Sequence, residues 1–142
     1  MARIRISFPE TTLFTHELAV RITDLNYGNH LAHDTLVSLL HEARARFFRM
    51  HEMEEGDVDG AGVILTDLAV SYRTQAFFGQ ALRVEIGVGS TSSRGCELLY
   101  RVTNKKSGDL VALASTGILF FDYAANKVVT MPPRFASVLA GN

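Results

Sequence analysis

The densest run of reactive side chains in the sequence is Asp24-Leu25-Asn26-Tyr27-Gly28-Asn29-His30-Leu31-Ala32-His33-Asp34. It mixes carboxylates, amides and imidazoles, and it runs straight into a segment with helical spacing. The first-turn N–H groups of a helix lack intrahelical partners and lie at the positive end of its dipole. That pole can hold an anion or polarise a carbonyl oxygen as the oxygen gains negative charge. A loop of acids, amides and imidazoles beside it suits acyl transfer or hydrolysis. Asp24 is a candidate base, with capping of the loop or pairing to Arg21 as its alternative. Asn26 either settles a turn or orients water or a substrate carbonyl. His33 is a candidate general base or donor, set against a structural role. Glu42, on the polar face of the following helix, is the last catalytic candidate, as a base that reaches a site across a subunit interface, and its alternative is a solvated or arginine-paired carboxylate. His30 and His33 have the spacing of a metal-ligand pair. No third ligand completes the set, so no metal site is expected.

A second polar run, Ser90-Thr91-Ser92-Ser93-Arg94, offers hydroxyls, backbone N–H groups and a guanidinium to phosphate oxygens, with an ordinary hairpin link as the alternative. The glycines form neither a GxGxxG fingerprint nor a P-loop, and no serine has the setting of a nucleophile elbow. Cys96 is the only cysteine. It forms no intramolecular disulfide, which fits a reducing compartment, and at a strand start it reads as buried filler rather than a nucleophile.

The elements that must position these groups follow from periodicity. Phe14, Leu18, Val20 and Ile22 share one parity, which predicts a strand over 14–22. Gly28 in the polar loop is free to take positive φ. Leu36, Leu39, Leu40, Ala43, Phe47 and Met50 recur at three and four, which predicts a helix from about Ala32 or Asp34 to about His51. Asp34 suits its first turn, and Arg44, Arg46 and Arg49 suit its negative pole. Four strand-like blocks come next, Val63–Thr74, Leu82–Val88, Glu97–Thr103 and Leu110–Tyr123. Their short links suit antiparallel neighbours rather than helical crossovers. Leu110–Tyr123 is apolar at nearly every position and should be covered on both faces. Pro132-Pro133 precedes a possible short helix over 134–139. The order predicts an α+β domain over residues 1–142, with one long helix packed on a curved antiparallel sheet. Its surplus apolar strand surface predicts a homo-oligomer.

Composition sets bounds. A chain of 142 residues with 47% hydrophobic and 20% charged side chains belongs to the globular class. A net charge of -1 gives no global field toward nucleic acid or anionic lipid. The first residues lack the apolar core of a signal peptide, and no apolar run reaches the ~20 residues of a membrane span. The expected location is cytoplasmic.

Taken in order, several of these pieces resemble one family. Arg21, Asp24, Asn26, Gly28, His30 and Glu42-Ala43-Arg44 fall where hotdog-fold proteins similar to 4-hydroxybenzoyl-CoA thioesterase have an arginine, an Asp-x-Asp pair, a glycine turn and a Glu-x-Ala-Arg-like helix segment. Val70-Ser71-Tyr72-Arg73 with Phe78-Gly79 resembles that family's second strand and turn. Phe121-Asp122-Tyr123 leading to Met131-Pro132 resembles its last strand and exit. The resemblance covers about Phe14 to Pro133. It implies a hotdog fold, with a long central helix wrapped by a curved sheet. Subunits would pair into one continuous sheet as a dimer or a tetramer of such units, with active sites at the interface. The substrate would be an acyl-CoA thioester, hydrolysed without a cofactor or metal. The CoA phosphates would be held by Arg94 with Ser92 and Ser93, with Arg73 as the second choice, and Leu36, Leu40 and Phe48 would line part of an acyl tunnel, with core packing as the stronger alternative for Leu36 and Leu40. One departure stands out: Asn26 occupies the place of the second acid of Asp-x-Asp, and an amide cannot take a proton as a carboxylate does. Asp24, His33 and Glu42 are then the candidate bases. The rival functions are a non-catalytic thioester-binding protein and a dehydratase, although the His-Phe-Pro-type segment of such dehydratases is missing.

Overall fold

The periodicities settle into an antiparallel sheet with a long helix on one face, in a computed structural model that describes residues 3–141. The elements are β1 (Phe14–Ala19), α1 (His33–Met50), β2 (Gly62–Tyr72), β3 (Ala81–Thr91), β4 (Gly95–Asn104), β5 (Leu110–Asp122), β6 (Lys127–Val128) and α2 (Pro133–Leu139). The strand predicted to reach residue 22 stops at Ala19, and Ile22–Asp24 form a 3-10 turn instead. No helix among the described residues is long and apolar enough to cross a membrane.

Alternate residues of three strands build the floor of the core. Leu82, Val84 and Ile86 of β3, Leu98, Tyr100 and Val102 of β4, and Ala112, Ala114, Ile118 and Phe120 of β5 are buried on the face that receives α1. From the helix come Leu36, Leu39, Leu40, Ala43 and Phe47, as the three-and-four spacing predicts. Met50 is exposed, and Phe48 takes its place in the core, packed on Phe47 and Phe135. Phe48 thus belongs to the core and is not among the residues that line the cleft described below. Arg44 is likewise buried rather than serving the helix's negative pole: its side chain reaches Glu55 at 3.2 Å and the Tyr100 hydroxyl at 3.2 Å. The predicted tail helix starts with Pro133 at its first position, where the missing N–H costs nothing, and drives Phe135 against Phe120. On the opposite face of β5, Ser115, Gly117, Leu119 and Phe121 are only half-buried, so both-sided coverage is incomplete within one chain.

The strand order is β1-β3-β4-β5-β2, with β6 pairing the end of β5. Consecutive blocks are neighbours from β3 to β5, but β2 pairs β5 rather than β3, which corrects the expected meander. The link of residues 73–80 is the reason this is possible. Eight residues reach up to ~27 Å extended, and crossing the width of two intervening strands needs only ~14 Å. This link passes under the start of α1, where the Leu31 N–H donates to the Ala76 carbonyl at 2.8 Å. The polar loop and the crossing link are thereby fixed to one another at one end of the sheet. That leaves β2 as an open edge, with Leu65, Leu68 and Tyr72 exposed along it.

Candidate active site

The loop before α1 is closed by its own backbone. Asn26 N–H donates to the His30 carbonyl at 2.9 Å, Asn29 N–H to the Asn26 carbonyl at 3.0 Å, and Ala32 N–H to the Asp24 carbonyl at 2.9 Å. The left-handed residue of this turn is Asn29 (φ 63°), not Gly28 as the sequence suggested. Gly28 is needed for a different reason. A Cβ there would stand 3.2 Å from both Asn26 Oδ1 and His30 Nε2. The same observation places the Asn26 amide and the His30 imidazole side by side.

Each of these side chains has one polar atom committed and one available. Asn26 Oδ1 accepts the Gly28 N–H at 2.8 Å, which leaves its Nδ2 as a donor. His30 Nδ1 lies 3.3 Å from the Leu31 carbonyl. A carbonyl only accepts, so in that contact Nδ1 carries the hydrogen and Nε2 of the neutral ring keeps its lone pair. In the sequence, His30 stands out only by its metal-like spacing to His33 and its place in the family pattern, neither of which marks it as a base. Its position as the residue that closes the loop onto Asn26 becomes visible only in the fold.

A cleft of about 280 Å³ opens on these groups, lined by Asn26, His30, His33, Leu36, Tyr72, Arg73, Ala76 and Val111 among others. The N-cap of α1 is Ala32, and no side chain caps the helix. The first-turn N–H groups therefore remain open beside the cleft. Of the N–H groups from Gly28 to His33, those of Gly28, Asn29, Leu31 and Ala32 are engaged, which leaves His30 and His33 as backbone donors. Tyr72 secures the pole: its hydroxyl donates to the His33 carbonyl at 2.9 Å, and its ring meets the His33 ring edge-on. Burial, with Asp34 adding to it, pushes the Tyr72 hydroxyl above its ordinary pKa, so it stays a donor at neutral pH. Leu36 is buried at the cleft floor, whereas Leu40 belongs to the core.

The other predicted site residues are distributed as follows. Asp24 is 1% exposed and does not line the cleft. Its carboxylate accepts from the Arg21 backbone N–H at 2.8 Å and from the Arg21 guanidinium at 3.0 Å. Burial raises its pKa, but the Arg21 hydrogen bonds and charge outweigh that and leave it below the usual carboxylate range. Glu42 lies nine residues along α1 from His33, about 13 Å at the helical rise. It pairs with Arg46 at 3.0 Å and faces His16 of β1, at the sheet edge opposite β2. Arg73 lines the cleft, with Nε donating to Ser71 Oγ at 2.9 Å. Ser92, Ser93 and Arg94 sit at the far end of the sheet. Gly95 pairs with Leu119, eight residues along β5 from Val111 at the cleft, a distance of about 27 Å. There the Ser92 hydroxyl accepts the Arg94 and Gly95 N–H groups, each at 3.2 Å, as a hairpin cap. Cys96 is buried, and burial, reinforced by Glu97, pushes its thiol up to about 12. The structure thus brings Asn26, His33 and Arg73 to one cleft, adds His30, and leaves Asp24, Glu42 and the Ser92–Arg94 hairpin outside it.

Comparison with known proteins bears on the family and the fold. A family model described as the thioesterase-like superfamily matches residues 20–139. No curated protein sequence matches the chain. Among solved structures, a 1,4-dihydroxy-2-naphthoyl-CoA thioesterase from Synechocystis superposes with a TM-score of 0.82 at 18% identity, covering 89% of this chain and 95% of that one. A Staphylococcus aureus protein solved in complex with CoA gives 0.83 at 14% identity, covering 96% and 87%. A DHNA-CoA thioesterase from Staphylococcus aureus gives 0.78 at 19% identity, covering 89% and 88%.

Proposed function

The chain belongs to the thioesterase-like superfamily, and from that footing we propose that it hydrolyses an acyl-CoA thioester to the free acid and CoA. The observation that carries the reading is the meeting of the Asn26 amide, the His30 ring and an uncapped helix N-terminus in one cleft. In this mechanism the thioester carbonyl oxygen accepts from Asn26 Nδ2 and from the open first-turn N–H of His33. Both donors strengthen as the oxygen becomes negative. His30 Nε2 takes a proton from water while the water oxygen bonds to the carbonyl carbon. Collapse of the tetrahedral intermediate breaks the C–S bond, and the imidazolium returns its proton to the departing thiolate. Asn26 acts as an electrophilic donor in place of a carboxylate base. Asp24 holds the loop through Arg21, and Arg73 offers a cation at the cleft beside the CoA arm.

A dimer through β2 completes the picture. Two β2 edges pairing antiparallel would set the start of one strand beside the end of the other. That arrangement brings the partner's Ser90–Arg94 end toward this cleft and covers Leu65 and Leu68. The amide at position 26 also gives the rival reading, a thioester-binding protein without turnover, a specific motive.

A hydrolysis screen over short, medium, long and aromatic acyl-CoAs decides between them. Turnover is expected in at least one class. H30A should lower kcat by about 100-fold or more, the usual worth of a positioned general base. N26A should lower it by a similar factor, as loss of one oxyanion donor does. No hydrolysis above buffer in every class, by folded protein that still binds the thioester, establishes the non-catalytic reading.

A further inference from the structure

We infer that the outer face of the sheet, away from α1, is a self-association surface that the chain covers with its own N-terminal arm, residues 3–13. Lifting the arm lets a second copy pack there, sheet against sheet. This role of the arm does not depend on the thioester reading.

Ile86 of β3 and Leu98 and Tyr100 of β4 face the core, so their neighbours Glu85, Gly87, Leu99 and Arg101 point outward. The arm lies on these outward residues through three side chains. The Phe8 ring sits over the Arg101 guanidinium, 4.4 Å from carbon to ring centroid. Thr12 Oγ1 donates to Glu85 Oε2 at 2.9 Å, and Glu85 also accepts from Arg101 at 3.0 and 2.9 Å. Pro9 seats on Gly87, where a Cβ would stand 2.6 Å from the proline ring and 3.2 Å from the Thr11 carbonyl oxygen. A side chain at position 87 therefore expels the arm. Among the described residues, the arm joins the sheet by backbone only at Leu13, whose N–H donates to the Ile86 carbonyl at 2.8 Å. A strap held by side chains peels away without breaking the strand ladder.

The arm covers one end of a low, uncharged row. Gly87 pairs with Leu99, Leu99 with Ser115 and Ser115 with Ala69, so one small or apolar residue per strand crosses the face from β3 to β2. Ser115 and Ala69, at the end the arm does not reach, are half-buried. Such a row suits close packing of another sheet. Stacked sheets stand about 10 Å apart, a gap their own side chains fill, so an arm on either copy holds the two off. Charge selects a second copy of this chain as the occupant. On β4, Glu97 and Arg101 flank Leu99 two residues to either side, both on the outer face. A two-fold axis along the row therefore sets each Glu97 over the other copy's Arg101. Phe8 rests on that same cation, so the arm and a second copy compete for it.

Light scattering on the full chain at matched concentrations tests the assignment. F8S/P9G removes the ring and the proline but leaves the face intact, and it should show about twice the wild-type particle mass. G87V keeps the arm's own residues but gives Pro9 no room, and it should double the mass as well. Adding S115K to either variant puts a charge in the middle of the row and should return the wild-type mass. S115K alone should leave the wild-type mass unchanged. Circular dichroism checks that each variant is folded, and G87V decides alone if F8S/P9G is not. An unchanged mass in the folded variants overturns the inference. So does a doubling that survives S115K, which places the contact elsewhere, or a wild-type mass that falls on adding S115K, which means the face is in use with the arm in place. Growth without limit in place of a doubling refutes it too, because a two-fold contact closes on itself.

Discussion

Arg44 is the most consequential charge in the core, and removing its partner should cost more than removing the arginine itself. The guanidinium is 5% exposed and touches Glu55 at 3.2 Å and the Tyr100 hydroxyl at 3.2 Å, while Tyr100 also bonds Thr116 Oγ1 at 2.8 Å. E55A leaves a buried cation with a single neutral acceptor. Breaking a buried pair from one side costs about 3–5 kcal/mol, and because the Glu55 side chain is 23% exposed, about 3 kcal/mol is the appropriate end of that range. R44M behaves differently. Methionine fills similar space, Tyr100 keeps Thr116, and Glu55 can turn toward water and His41, which stands 3.5 Å away. The charge left unpaired by R44M is the Glu55 carboxylate, 23% exposed against 5% for the Arg44 side chain, so water offsets more of the loss and R44M should cost less than E55A. At about 3–4 °C per kcal/mol for a domain of this size, E55A should lower Tm by about 10 °C and R44M by clearly less. Adding R44M to E55A should raise Tm above that of E55A alone. Thermal unfolding followed by circular dichroism at fixed protein concentration reads all three. An R44M variant as unstable as E55A, or a double variant below both, would refute the reasoning.

Two further outcomes follow from individual groups. Asp24 has a depressed pKa in the folded state, so its contribution is complete above its ordinary value of about 3.9 and is lost as pH falls through the lower folded value. D24N should therefore be less stable than wild type by about 1 kcal/mol at pH 7, mainly through a weaker bond to the Arg21 backbone N–H. Urea unfolding should show that gap closing as pH drops below about 4, and a gap that persists at pH 2 or grows on acidification contradicts the assignment. Cys96, 7% exposed with its thiol pushed up to about 12, should not react with a thiol reagent in the native protein at pH 8 but should react at once in denaturant. Rapid native labelling would show that β4 opens at its start.

What could be read from the chain alone was whatever local periodicity controls. The stripe from Leu36 to Phe47 marked α1, and alternation in Leu82–Val88 and Leu98–Val102 marked β3 and β4 with the correct inward faces. Pairing partners are non-local, so no local pattern marks β2 as the neighbour of β5 rather than β3. Arg44 misled for a related reason. Three arginines near a helix end suggest the dipole, and only the position of Tyr100 across the core shows that one of them turns inward. Within the site, Asn26 and His33 were legible because polar residues before a helix start are conspicuous. His30 was not, since its role depends on which carbonyl meets Nδ1 and on how close Gly28 lets it come to Asn26.

The unexpected strand order also explains why the site lies where it does. If β2 and β3 were adjacent, the residues between them would form a hairpin turn at the sheet rim. Because β3 lies on the far side of β4 and β5, the chain must cross the sheet end as an extended link. That link has spare backbone groups, and Ala76 uses one to hold Leu31. One irregular connection thereby fixes the loop that carries Asn26 and His30, supplies Arg73 and Ala76 to the cleft, and projects Phe77 and Phe78 beyond it. The same order leaves β2 unpaired on one side, so the cleft at its end is a place where a second copy of the sheet can add residues. With the dimer proposed above, site and association surface would be a single consequence of the topology. A substitution that blocks β2 pairing should therefore alter substrate handling even where it touches no group that contacts the thioester.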